Sequence, residues 1–141
     1  MGLGHVQLGD FFFGQERFEE DPVAYLPPVF PRPAPMGRVT GPDGTTMSLE
    51  AYRGQWLLLD FWATWCKPCI EAMPHVGAMA RSYAPRGLAV LGVSVDEERE
   101  KYATFVSRKQ PPYPTAFDGA DPPLWERYRV TVVPTAFLID P

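Results

Sequence analysis

The chain of 141 residues contains only two cysteines, which excludes a small fold held together by several disulfide bonds. Positive charge is not in excess either, since 13 Lys and Arg residues are outnumbered by 17 Asp and Glu residues. A basic surface for nucleic acid or anionic lipid is therefore not predicted. Long hydrophobic runs are also missing, because a run such as 88–95 is far below the roughly 18 residues that span a bilayer.

The first residues do not show the pattern of a signal peptide. No Lys or Arg precedes Arg17, and Gly9 and Asp10 interrupt the apolar residues. Three consecutive aromatic residues at 11–13 indicate either a strand or turn packed on the domain, or an element that docks on a partner or membrane.

Proline, in contrast, is abundant, with 17 residues in the chain. Many of these prolines fall between Pro22 and Pro42, and each one fixes φ and removes a backbone donor. Residues 22–36 are therefore predicted to form a semi-rigid linker or an arm laid along a surface.

Hydrophobic patterns from residue 37 onward predict alternating strands and helices. Buried strands are predicted at 56–62, 88–95 and 134–140, with a short extended piece at 113–117. Helices are predicted at 48–54, from about residue 66 to 84, at 96–109 and at 123–130, with a turn at 41–44. A strand, a helix and a second strand across 56–95 form a right-handed crossover with parallel strands. The predicted fold class is α/β, with a mixed central sheet and helices on both faces.

The two cysteines, Cys66 and Cys69, lie three positions apart in DFWATWCKPC, residues 60–69. A structural staple that closes four residues stabilises by only about 1.9 kcal/mol, against about 3 kcal/mol for fifteen residues. A zinc site needs four ligands, but the chain offers only His5 and His75 besides the cysteines. His75 is interpreted as a solvated helix residue, with ligation or catalysis as the alternative. A reactive thiol pair is favoured over both a staple and a metal site.

The position of the pair supports this interpretation. A buried strand runs into Thr64, and the next helix begins at about Cys66, where free N–H groups and the positive end of the helix dipole stabilise a thiolate. Cys69, one turn later, can attack a mixed disulfide formed at Cys66. Pro68 is tolerated in the first turn, and Lys67 adds a positive charge near the thiolate.

Two further residues suggest roles in the same chemistry. Asp60 interrupts the apolar run LLLDFW, and a carboxylate is costly to bury. Burial would raise its pKa and suit it to accept the proton of Cys69, directly or through water, whereas the alternative is a strand-end residue that is partly solvated or hydrogen-bonded. Pro134 stands at the first position of the last strand, where proline is allowed, and the Val133–Pro134 bond is a candidate for the cis form.

Together these residues resemble the thioredoxin-like superfamily, most closely its TlpA/ResA-type thiol–disulfide oxidoreductases. The segment DFWATWCKPC carries the W-C-x-x-C signature, and Pro74 matches the proline that kinks the family's active-site helix. The segments PAP (33–35), DGTTMSLEAYRGQW (43–56) and VVPTAFLID (132–140) match the entry segment, the helix before the first core strand and the cis-proline strand. The resemblance covers residues 33–141, which implies an N-terminal extension with a proline-rich arm, 1–32, and one thioredoxin-like domain, 33–141.

The resemblance implies an enzyme in which Cys66 attacks, Cys69 resolves and Asp60 assists. It also implies that Pro134 is cis and faces the cysteines. The residues expected to bind a client are Trp65, Lys67, Pro68, Val133 and Pro134. No metal is expected, and no cofactor other than the redox-active disulfide Cys66–Cys69. The expected partners are protein disulfide clients, including cytochrome c precursors, and an electron donor. Many members are exported, which points to a location outside the cytoplasm.

The sequence departs from the family pattern at its C-terminal end. The family continues after the cis-proline strand with an edge strand and a final helix, whereas this sequence ends at Pro141. Residues 134–140 would then form an open sheet edge, which is a liability for aggregation. The only unassigned segment with strand-like content is HVQLGDFFF, 5–13, so we expect it to pair with 134–140.

Several functions remain compatible with the sequence. The first is a protein disulfide reductase that works by dithiol exchange. The second is a non-catalytic module with a thioredoxin fold that binds proteins. A peroxide-reducing enzyme on the same fold is disfavoured, because no proline closely precedes Thr64 and Cys66 as in the peroxiredoxin pattern. Copper delivery is disfavoured because no histidine follows His75.

Overall fold

The computed structural model describes the backbone of residues 6–9 and all of residues 33–141. The strands are β1 (Val6–Gly9), β2 (Arg38–Thr40), β3 (Thr46–Ser48), β4 (Trp56–Trp62), β5 (Leu88–Ser94), β6 (Thr115–Phe117) and β7 (Thr135–Ile139). The helices are α1 (Lys67–Tyr83), α2 (Arg99–Lys109) and α3 (Leu124–Arg127), with 3₁₀ turns at Leu49–Tyr52 and Ala84–Arg86. In the part of the chain described, no helix is both long and apolar enough to cross a membrane.

The strands form one mixed sheet in the order β1-β7-β4-β5-β6-β2-β3. β5 runs parallel to β4 and to β6, as the crossover prediction requires. β7 runs antiparallel to β4 on the other side. The predicted α/β class with a mixed sheet is therefore confirmed.

The outer edge of β7 is covered by the N-terminal strand. β1 pairs with β7 antiparallel, with Val6 opposite Ile139 and Gly9 opposite Ala136. The expectation that the N-terminal segment occupies this edge is confirmed for residues 6–9. Residue 5 and the aromatic residues 11–13 lie outside the described residues, as does most of the predicted arm.

The two faces of the sheet are covered by different helices because side chains alternate along β4. Leu57, Leu59 and Phe61 lie in one apolar cluster with the first residue of α3 and the first 3₁₀ turn. Leu58 and Trp62 lie in the other cluster, together with buried residues of α1 and α2. Since Asp60 falls between Leu58 and Trp62 in this alternation, its side chain belongs to the α1 face.

The described end of the proline-rich segment packs against α3. Ala34 is buried in the core on that face. The Tyr128 hydroxyl donates to the Pro35 carbonyl at 2.8 Å, and Arg127 donates to the carbonyl of Met36. The predicted arm therefore does lie along the domain at 33–36, whereas 22–32 are outside the described residues and the domain boundary stays a prediction.

Candidate active site

The two cysteines form a disulfide at the N-terminus of α1. Cys66 is the N-cap residue in an extended conformation, and its sulfur accepts the backbone N–H of Cys69 at 3.3 Å. Pro68 occupies the first turn, where its missing N–H costs nothing. The predicted helix start is confirmed, and the sulfur of Cys66 lies where the free amides of the first turn converge.

The loop before β7 lies against this disulfide. The Val133–Pro134 peptide bond is cis, as the resemblance implies, and the Val133 carbonyl oxygen lies 3.7 Å from the sulfur of Cys66. Thr135 Oγ1 donates to the Val132 carbonyl at 2.5 Å across the cis bond. The fold thus brings together two segments that are 67 positions apart in the sequence.

Two exposed apolar side chains belong to residues that adjoin the site in the chain, Trp65 next to Cys66 and Val132 next to Val133. Trp65 is 70% exposed and Val132 is 61% exposed, while Cys66 keeps only 5% of its surface. Exposed large apolar side chains beside a reactive group are typical of a surface that binds a partner. Trp65 was predicted here from the sequence, but Val132 was not, because nothing in a run of valines distinguishes the one that faces solvent.

Lys67 contributes less than its position in the motif suggests. Its ammonium group lies 3.8 Å from Glu71, and both side chains are largely exposed. Exposed ion pairs are weak, and the neighbouring carboxylate offsets the positive charge. His75 is exposed on the same helix, as the interpretation of a solvated residue requires.

Asp60 is buried on the α1 face with 4% of its surface exposed. Burial raises the pKa of its carboxyl to about 7, because water no longer solvates the charged form, and an interaction with Tyr113 opposes this rise. Burial and the neighbouring Asp60 also raise the pKa of Tyr113. This burial excludes the alternative of a partly solvated strand end. Asp60 lies between Leu58 and Trp62 in the alternation of β4, on the sheet face whose apolar cluster includes Cys66 and Cys69.

A second buried carboxylate, Asp96, was missed as a site residue. It accepts the backbone N–H of Thr64 at 3.0 Å, the Thr64 hydroxyl at 2.6 Å and the Ser94 hydroxyl at 2.5 Å. These bonds tie the residue two positions before Cys66 to the end of β5. The sequence prediction placed Asp96 in a helix over 96–109, but α2 begins only at Arg99, because the carboxylate of Asp96 is bound across the sheet end.

Comparisons with known proteins agree with this geometry. The model of the AhpC/TSA family matches residues 31–141. The thiol-disulfide oxidoreductase ResA of Bacillus thuringiensis subsp. konkukian (strain 97-27) is 33% identical over 107 residues, which cover 76% of this chain and 61% of that protein. The chain therefore spans about three fifths of the length of this relative. ResA of Bacillus subtilis (strain 168) is 26% identical over 139 residues, covering 99% of this chain and 72% of that protein.

The alignment with the Bacillus subtilis protein extends through most of the N-terminal extension, which the sequence analysis had left outside the resemblance. Among solved structures, a protein from Chlorobium tepidum provisionally named thiol:disulfide interchange protein DsbE is 31% identical with a TM-score of 0.67. That match covers 74% of this chain and 73% of the other chain. The resemblance to ResA-type proteins is confirmed, and the chain belongs to the AhpC/TSA family, with a thioredoxin-like fold.

Proposed function

We propose that this protein is a thiol–disulfide oxidoreductase that reduces disulfide bonds of protein clients through Cys66 and Cys69. The observation that carries the proposal is the position of the Cys66 sulfur. It accepts an amide at the start of α1 and lies 3.7 Å from the carbonyl of Val133. The relatives named thiol-disulfide oxidoreductase support the same reaction class.

In the reduced protein, Cys66 is the attacking thiolate. The first-turn amides and the helix dipole stabilise the sulfur anion, and such settings lower a cysteine pKa from about 8.5 to between about 3.5 and 7.5. The thiolate attacks one sulfur of the client disulfide, a mixed disulfide forms, and the other client sulfur leaves as a thiolate.

The client segment binds beside the cis-proline. An extended peptide that pairs with the backbone at Val133 would add a strand next to the sulfur of Cys66. The exposed ring of Trp65 and the exposed Pro68 offer apolar contacts to its side chains. This mode of binding requires an extended client backbone but places few demands on the client's side chains. It therefore suits a range of protein clients.

Cys69 then completes the exchange. It lies one helical turn after Cys66, with 5.3 Å between the two Cα atoms, so its sulfur is already in place to attack the mixed disulfide. The carboxylate of Asp60 accepts the Cys69 proton, and the Cys69 thiolate attacks Cys66 and releases the client as a thiol. A pKa of about 7 lets Asp60 exchange this proton near neutral pH.

The cycle needs no cofactor beyond the two sulfur atoms, but it ends with the protein oxidised. An electron donor outside this chain, a dithiol protein by the same chemistry, returns the disulfide to two thiols. We propose cytochrome c precursors as one client class and a location outside the cytoplasm, on the basis of the resemblance to TlpA/ResA-type proteins.

Insulin reduction tests the proposal directly. We expect Cys66→Ser to abolish turnover and Cys69→Ser to accumulate a covalent mixed disulfide that a gel without reductant reveals. His75→Ala, which changes an exposed residue of the same helix, is the matched control and should retain full activity. Normal turnover by Cys69→Ser would refute the assigned roles. Complete lack of exchange by the unaltered protein would favour a non-catalytic binding module.

The peroxide-reducing alternative gains no support from the site. Thr64 is the threonine that precedes Cys66, but its hydroxyl donates to Asp96 at 2.6 Å. It is therefore engaged away from the sulfur.

A further inference from the structure

Three polar atoms on the α1 face of the sheet are buried without a hydrogen-bond partner in the part of the chain that the structure describes. They are Oδ1 of Asp60, Nε1 of Trp62 and the hydroxyl oxygen of Tyr113. Their residues keep 4%, 0% and 7% of their surface, respectively. Buried polar groups in native proteins almost always have a partner, either protein or ordered water, so three such atoms together indicate a polar ligand that they share.

Gly92 brings these atoms together. In the parallel pairing of β4 and β5 it is the register partner of Asp60. A Cβ atom at position 92 would lie 3.1 Å from Nε1 of Trp62 and 3.0 Å from the ring of Tyr113. The indole N–H and the phenol ring therefore lie directly over Gly92. The phenol is near enough to Asp60 to lower the pKa of its carboxyl, although no direct hydrogen bond joins the two groups.

The position of Tyr113 is fixed by the prolines around it. Pro112 packs so closely on α1 that a Cβ at Gly77 would lie 2.4 Å from its ring. On the other side, the Pro114 carbonyl accepts the backbone N–H of Gly92 at 2.9 Å. Both contacts hold the ring of Tyr113 beneath the helix that carries the disulfide.

We propose that Asp60, Trp62 and Tyr113 hold one buried water molecule, and that Tyr113 uses it to position the proton of Asp60. The inference rests on the proposed function, in which Asp60 accepts the proton of Cys69. One water with three polar neighbours has the usual number of partners for a buried site.

The proton step is balanced without any electron transfer. Asp60 becomes a carboxylic acid when it takes the thiol proton of Cys69. Asp60 holds this proton beside the water, returns it to the Cys69 thiolate when an external dithiol reduces the disulfide, and is then again a carboxylate. Only S–H and O–H bonds break and form.

Three further titratable side chains lie in the apolar cluster on this face of the sheet, namely Cys66, Cys69 and Tyr102. The cysteines are joined in the oxidised protein, and the hydroxyl of Tyr102 lies 3.0 Å from that of Thr115. Tyr113 is the side chain whose interaction with Asp60 favours the charged form of the carboxyl.

Removal of one hydroxyl tests the proposal. In oxidised Tyr113→Phe labelled with ¹³C at aspartate, we expect NMR titration to show a higher pKa for Asp60 than in the unaltered protein. Tyr128→Phe is the control, since this buried tyrosine lies on the opposite face and donates to Pro35. A rise in both variants or in neither would overturn the role of Tyr113. A long-lived water that gives an NOE to the indole N–H of Trp62 is expected in the unaltered protein, and its absence would overturn the water site.

Kinetics extend the test to the reaction. Single-turnover release of client should slow in Tyr113→Phe by about tenfold. This is less than the roughly 10²- to 10⁴-fold that a positioned base itself contributes, because Asp60 remains in place. The double variant with Asp60→Asn should be no slower than Asp60→Asn alone, whereas additive slowing would mean that Tyr113 acts elsewhere. The titration uses the oxidised protein and needs no exchange activity. An inactive enzyme would therefore end the proposed function without deciding the result for Tyr113.

Discussion

Replacement of Asp60 by asparagine should stabilise the oxidised protein, and the gain should grow with pH. The folded protein holds this carboxyl at a pKa of about 7, against 3.8 when it is solvated. Between these values the folded state binds a proton that the unfolded state has released, so stability falls as pH rises from about 4 to 7 and is then constant. Asparagine keeps the shape of the protonated acid but has no charge to desolvate.

The size of the effect follows from the same two values. At about 1.4 kcal/mol for each pH unit between them, the full penalty for burying the charge is about 4 kcal/mol above pH 7. At pH 4.5 the penalty is only about 1 kcal/mol. The stability difference between Asp60→Asn and the unaltered protein should therefore increase by about 3 kcal/mol between pH 4.5 and pH 8.

Urea denaturation of both oxidised proteins at several pH values measures this difference. With a slope of about 1–3 kcal/mol per molar urea, the midpoints should separate by at least about 1 M over this pH range. Asp43→Asn is a control with the opposite sign. That exposed carboxylate accepts bonds from Thr45 that lower its pKa, so the variant should lose relative stability only as the pH rises towards 4, and should show no pH dependence between pH 4.5 and pH 8. A stability difference for Asp60→Asn that stays constant with pH would refute the assignment of a buried carboxyl that titrates near neutrality.

Two further substitutions test how the site is supported. Asp96→Ala removes three charge-assisted hydrogen bonds, so it should lower the free energy of unfolding by about 3 kcal/mol in urea denaturation. Glu97→Ala is the control at an exposed neighbouring residue and should change the free energy of unfolding by less than about 0.5 kcal/mol. Gly77→Ala would stabilise an ordinary helix by about 1 kcal/mol, but here its Cβ meets Pro112 at 2.4 Å, so we expect a loss of about 1–2 kcal/mol; a gain would show that the proline-rich loop does not press on α1.

The elements that the sequence predicts well are those with a strong local pattern. The run 56–62 is apolar on both faces because β4 lies between β5 and β7, and its predicted bounds match the structure. The start of α1 was predicted because Cys66 and Pro68 suit the first turn. Local patterns sufficed in both places because the run of apolar residues and the residues of the first helical turn are visible within a few positions of the sequence.

The predictions that failed depend on contacts between distant segments. Asp96 begins a polar stretch that is typical of a helix, but Thr64 and Ser94 bind its carboxylate and delay the helix by three residues. Tyr113 drew no attention, because its role depends on Gly92 and Pro112 rather than on its own segment. The sequence did contain a signal in both cases, an acidic residue after a buried strand and a tyrosine flanked by prolines. The residues that these two side chains contact, however, can be identified only from the fold.

The antiparallel pairing of β1 with β7 determines which amide hydrogens of β7 exchange when the sheet opens locally. Along a strand with neighbours on both sides, successive amides point alternately to one neighbour and to the other. Alternate amides of Thr135–Ile139 therefore exchange their hydrogens whenever β1 detaches, while the others exchange only when the central pair β4–β7 opens. Hydrogen exchange in this one strand thus reports two free energies, that of detaching residues 6–9 and that of unfolding the domain.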